Sequence, residues 1–217
     1  MTRNRALLAG VAALTVAVVT SAWAYPTLPA TVPTHWNLAG QVNGYSSRFF
    51  AVAFAPAIAA LMWLLMLVLP KISPRGFRLA ESADAFYAAM LAVIAVIVVI
   101  HLMLVRAAVT GAQPSVTVLF LLLGALFVVI GAVMGRLKRN FWIGVRTPWT
   151  LANDEVWQRT NHLAGRLLVA GGLFIALSSF FPRIAIAVIL IVLFVIAFTS
   201  LAYSYVLYRR IEGFGSD

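Results

Sequence analysis

Phe86–Val105, FYAAMLAVIAVIVVIHLMLV, and after one short connection Val116–Met134, VTVLFLLLGALFVVIGAVM, decide the fold. Neither stretch holds an Asp, Glu, Lys or Arg. A bilayer core asks for about 20 consecutive apolar residues in helical form. Lipid offers no partner to a free backbone N–H or C=O, so such stretches are helices. Four further spans flank this pair: Ala6–Ala24, Phe49–Leu69, Leu167–Phe181 and Ile184–Tyr208. Leu167–Phe181 is short, but the segment before it can extend it. A hydrophobic content of 63%, a charged content of 10% and a mean hydropathy of +1.00 agree with this reading. The expected fold class is all-α, a polytopic integral membrane bundle of about six transmembrane helices.

Lys and Arg orient such a bundle, because they collect on the cytoplasmic side. Thirteen of the 16 fall before span 1, between spans 2 and 3, between spans 4 and 5, and after span 6. Arg48, Arg106 and Arg183 lie on the other side. Both termini are therefore expected in the cytoplasm. The net charge of +10 is spread over four segments rather than gathered with stacking aromatics, so no nucleic-acid partner is expected. The bilayer, and its anionic headgroups in particular, is the partner this charge suits. With no cysteine, disulfides and thiol chemistry are excluded. The Arg- and Ala-rich, Cys-free composition fits a bacterial plasma membrane. Met1–Arg5, an apolar run and Ala22-Trp23-Ala24 also make the pattern of a cleavable signal peptide. The spanning length of the run favours a retained anchor.

The chain divides into a two-span unit, 1–84, and a four-span unit, 85–217, each with one long patterned loop. The outer loop, 25–48, reads YPTLPATVPTHWNLAGQVNGYSSR. Prolines stiffen it and Gly40, Asn43 and Gly44 mark turns. The inner loop, 135–166, has an irregular first half around Gly144 and Pro148. Its second half is expected to be an interfacial helix running into span 5. Asn153 is its N-cap, Asp154 and Glu155 occupy the first turn, and Glu155 pairs with Arg159. Split after span 3, the chain has two halves of opposed orientation, an arrangement known in transporters.

Within the spans His101 is the sole ionisable candidate, read as a half-buried, hydrogen-bonded histidine rather than a proton relay. Gly131-x-x-x-Gly135, with Gly124 one heptad earlier, reads as close helix packing inside the bundle. Pro56 is expected to kink span 2. Tyr203, Tyr205 and Tyr208 read as an aromatic belt. His35 and His162 fall on opposite sides and His101 is near neither in sequence, so no metal site or other cofactor is expected. No nucleophile elbow or phosphate-cradling Lys loop is present, and no enzyme is expected.

Chemistry therefore concentrates in the two loops. The outer cluster is Pro33, His35, Trp36, Asn37, Gly40, Gly44 and Tyr45. The inner cluster is Asn140, Gly144, Arg146, Thr147, Pro148, Trp149, Thr150 and Trp157, with Arg146 placed to stack on Trp149 or Trp157.

These clusters resemble the SdpI-type family of bacterial membrane proteins. VPTHWNLAGQVNGYSSRF looks like that family's N-terminal pattern, and NFWIGVRTPWTLANDEVWQRTNHLAG looks like its C-terminal signature. The pattern departs at Asn161-His162, where a basic residue is expected second. The resemblance implies immunity to, or sensing of, a membrane-active peptide toxin, with relay to a cytosolic regulator as a further implied partner. A small permease or flippase is the competing expectation, resting on the opposed halves, the kinked span 2 and the long loops.

Overall fold

The computed structural model describes residues 2–37, 41–74, 77 and 79–213. Among the described residues six helices are long and apolar enough to cross a membrane: α1 (Arg3–Ala24), α2 (Arg48–Val68), α3 (Ala83–Thr110), α4 (Val116–Met134), α6 (Asp154–Ser178) and α7 (Pro182–Ile211). A one-turn helix, α5 (Pro148–Ala152), precedes α6.

The outer loop is more regular than its prolines and glycines suggest. It forms an antiparallel ribbon of β1 (Thr31–Trp36) and β2 (Val42–Ser47), a small addition to the helical bundle. Two-residue periodicity is hidden because only Val32 is fully buried, and because the register is interrupted on either side of His35. Span 5 begins earlier than expected. Asn153 caps α6, accepting from the backbone N–H groups of Glu155 and Val156, and the helix then runs unbroken to Ser178. The helix expected after Asn153 therefore does run into span 5, and Val156, Trp157, Thr160 and Asn161 in its first turns are already buried against the bundle. Arg106 lies inside α3, which continues to Thr110 and ends at Gly111 with φ +70°. Pro56 is buried within α2, which is helical on both sides of it.

Two groups of helices pack side by side. In the first, α1 lies against α2 and α3. The indole Nε1 of Trp63 donates to the Leu7 carbonyl at 3.1 Å, and the ring covers Gly10. Ser21 Oγ lies 2.8 Å from His101 Nε2 and 2.8 Å from the Val52 carbonyl oxygen, so one hydroxyl joins three helices. His101 is thus hydrogen-bonded, and it is fully rather than half buried.

In the second group α4 and α6 touch backbone to backbone. A Cβ on Gly124 would lie 2.5 Å from the Gly172 carbonyl oxygen, and one on Gly131 would lie 2.6 Å from that of Gly165. Gly124 and Gly131 stand seven residues apart on α4, Gly165 and Gly172 seven apart on α6, and they match in reverse order as antiparallel neighbours must. Small residues are what let transmembrane helices approach this closely. Gly135 faces the His162 ring instead. Helix α7 packs on α6, and α3 joins the two groups through α4.

Candidate functional site

The start of α1, the ends of α2, α4 and α7 and the starts of α3 and α6 share one face of the bundle, the basic side. The ribbon and the turns near 111–115 and 179–181 share the other, the ribbon side. Each sequence cluster is built into one of these faces.

On the ribbon side, the base of the hairpin is anchored by Arg48. Its backbone N–H donates to the Ala30 carbonyl at 3.0 Å, and its guanidinium lies 4.9 Å from the centre of the Tyr25 ring. Pro33 and Tyr45 are cross-strand partners, and Tyr45 is 63% exposed. Gly44 faces His35 so closely that a Cβ there would lie 2.8 Å from the His35 Cβ. The Asn43 side-chain oxygen is 2.5 Å from His35 Nδ1. An amide oxygen only accepts, so Nδ1 carries the proton. Asn37 closes the tip: its N–H donates to the Gln41 carbonyl at 2.9 Å, and its Oδ1 accepts from Gln41 N–H at 2.9 Å. Gly40 lies outside the described residues.

Beneath this ribbon is a groove of about 400 Å³. His35, Trp36 and Asn37 form its polar rim. Its floor is apolar, with Met103 and Leu104 from α3 and Leu119, Phe120 and Leu123 from α4. The geometry suits a ligand with one polar end and a long apolar body.

On the basic side, Asn140 is fully buried and organises its loop with four hydrogen bonds. Its Nδ2 donates to the carbonyls of Lys138 (2.9 Å) and Ile143 (3.1 Å), and its Oδ1 accepts from the N–H groups of Trp142 (2.8 Å) and Ile143 (2.9 Å). Gly144 follows at φ +116°, a region that β-carbons disfavour. Thr147 and Thr150 form a capping box around α5, whose first residue is Pro148. Thr150 Oγ1 also donates to the Val145 carbonyl at 2.8 Å, and Thr147 Oγ1 donates to Ser204 Oγ of α7 at 3.1 Å. Trp157 is buried in the middle, with Nε1 donating to the Leu137 carbonyl at 2.7 Å.

Arg146 does not stack on an indole. It is exposed, and its Nη1 donates to the Phe141 carbonyl at 2.6 Å. Trp149 packs edge-on to Tyr205, with ring centres 5.1 Å apart. The stacking cation of this loop is Arg139, which lies over Phe77 and beside the Asp154 carboxylate at 2.8 Å.

Three further residues contribute, and sequence reasoning passed over two of them, Asn161 and Ser21. Asn161 Oδ1 accepts from Val145 N–H at 2.8 Å, Ser204 receives Thr147, and Ser21 holds His101. Asn161 was within reach of pattern reading, since it stands four residues after Trp157 on the same helical face. Ser21 carried no local signal, because its partner is 80 residues away.

Six spanning helices, a ribbon on one face and a densely bonded loop on the other define a multi-pass membrane protein. Residues 136–204 match the model of the SdpI/YfhL protein family, and residues 12–60 match a domain of unknown function, DUF1648. The chain is 38% identical over 91 residues to the immunity protein SdpI of Bacillus subtilis (strain 168). That match covers 42% of this chain and 44% of the relative, so the chain spans less than half the length of the curated protein it matches. The likeness to the SdpI/YfhL family falls on the region holding the inner loop, α6 and most of α7, where the motifs pointed. No solved structure matches.

Proposed function

We propose that this protein gives immunity to a membrane-active peptide toxin by seating an apolar segment of the peptide in the groove beneath the ribbon. The observation that carries the reading is the groove itself, with its polar rim of His35, Trp36 and Asn37 over an apolar floor. The relative's role as an immunity protein supports it. So does the charge distribution, by which the ribbon side is expected to face outward, where a secreted peptide arrives. A peptide held in the groove has its apolar face covered and is unavailable to form a lesion.

The test is protection. Cells lacking the gene are challenged with a panel of secreted peptide toxins, with and without the full chain restored. The wild type is expected to protect against at least one. Leu119→Trp, which fills the groove from a half-buried position, is expected to abolish protection at unchanged membrane level. Equal killing in all strains across the panel overturns the reading, and full protection by Leu119→Trp overturns the groove as its site.

Helix α3 favours a relay as well. Its Met103 and Leu104 floor the groove, and its Ala85 and Ala89 pack in the cluster that contains Trp157. Peptide binding alters the inner loop through α3 only if the peptide prefers one of two arrangements. Tryptic cleavage at Arg146 that changes on peptide addition is the expected sign; an unchanged rate at saturating peptide removes the relay.

A further inference from the structure

We propose that Arg166 and His162 hold the phosphate of an anionic glycerophospholipid whose acyl chain lies in the groove between α4 and α6. Two hollows meet at these residues. One, of about 310 Å³, is walled by Gln158, Arg159 and Tyr203; the other, of about 490 Å³, runs along Gly131, Ala132, Val169 and Leu173. His162 and Arg166 line both.

The residues follow one helical face. Arg159, His162, Arg166, Val169 and Leu173 step along α6 by three or four, so cations at the basic end give way to aliphatics toward the membrane centre. Arg166 is the last charge before the apolar run of α6, which sets it at headgroup depth. Arg136 borders the second hollow from the end of α4.

The neighbouring cations are occupied. Arg136 pairs with Asp84 at 3.2 Å, and Arg159 pairs with Glu155 at 2.7 Å. Among the described residues, Arg166 and His162 make no hydrogen bond or ion pair with the protein. A guanidinium offers a planar fork of donors that matches phosphate oxygens. The apolar hollow exists because Gly131 and Gly165 bring α4 and α6 into backbone contact, leaving a shallow channel lined by small residues above them. Basic pockets between spanning helices are the recognised form of anionic headgroup sites.

The experiment uses the purified full chain, delipidated in neutral detergent and titrated with phosphatidylglycerol, phosphatidylcholine or inorganic phosphate, with bound lipid read by native mass spectrometry. Phosphatidylglycerol is expected to bind in preference to phosphatidylcholine. Arg166→Ala is expected to weaken it about fivefold, the weight of one basic residue at an anionic surface. Ala132→Phe, an exposed position in the hollow, is expected to weaken it through the acyl chain while leaving the cations in place. Arg3→Ala, on α1 in the other helix group, is expected to change nothing. Equal binding of the two lipids, or wild-type affinity in both Arg166→Ala and Ala132→Phe, overturns the site. Displacement of the lipid by an equal concentration of inorganic phosphate also overturns it, by assigning the residues to a free anion.

Discussion

Replacing Asn140 with Ala tests whether the inner loop is a bonded structure rather than a loose connection. The side chain is fully buried and bonds to two N–H groups and two carbonyls, all within three residues. A hydrogen bond contributes about 1 kcal/mol net, and a buried group left without a partner costs about 1–3 kcal/mol. Lys138 is exposed and Ile143 only half-buried, so water re-solvates part of what is lost. The expected loss is about 3 kcal/mol of loop stability, a shift of about a hundredfold in the opening equilibrium. Cleavage that requires prior opening tracks that equilibrium when opening and closing are fast. Trypsin acting at Arg146 in detergent-solubilised protein is therefore expected to cut Asn140→Ala about a hundred times faster than wild type. Asn140→Asp keeps both accepting bonds but sets a carboxylate against two carbonyl oxygens, and is expected to fall between them. Equal cleavage rates for wild type and Asn140→Ala refute the assignment of Asn140 as the organiser of this loop.

Further outcomes follow from the same geometry. Gly144→Ala places a β-carbon at φ +116° and 2.7 Å from Asn161 Oδ1; it is expected to cost about 1–3 kcal/mol, measured as a lowered denaturation midpoint in detergent. Ser21→Ala leaves buried His101 without its partner and is expected to cost about 1–2 kcal/mol, with Ser21→Cys closer to wild type; identical midpoints for all three remove the hydroxyl as a tie between α1 and α3. Gly172→Leu forces a side chain against the Gly124 carbonyl and Phe127 and is expected to separate α4 from α6, seen as a lowered denaturation midpoint in detergent.

Sequence alone determined the number, approximate limits and apolar character of the six spans, because in lipid each helix satisfies its own backbone and the signal is local. It also marked Asn153 as a cap, the pairing of Glu155 with Arg159, and the glycine face of α4, all features of one helix and its own neighbours. Both motif clusters were legible as clusters for the same reason: their residues are close in the chain. Only the tertiary structure decided what they touch. The glycines of α4 needed Gly165 and Gly172, about 40 residues on, to become a contact. Arg146 went to a carbonyl rather than an indole because Trp157 was already enclosed under Leu137. The groove has no sequence signature at all, since its rim comes from a ribbon and its floor from α3 and α4. Those elements meet only once the bundle has closed.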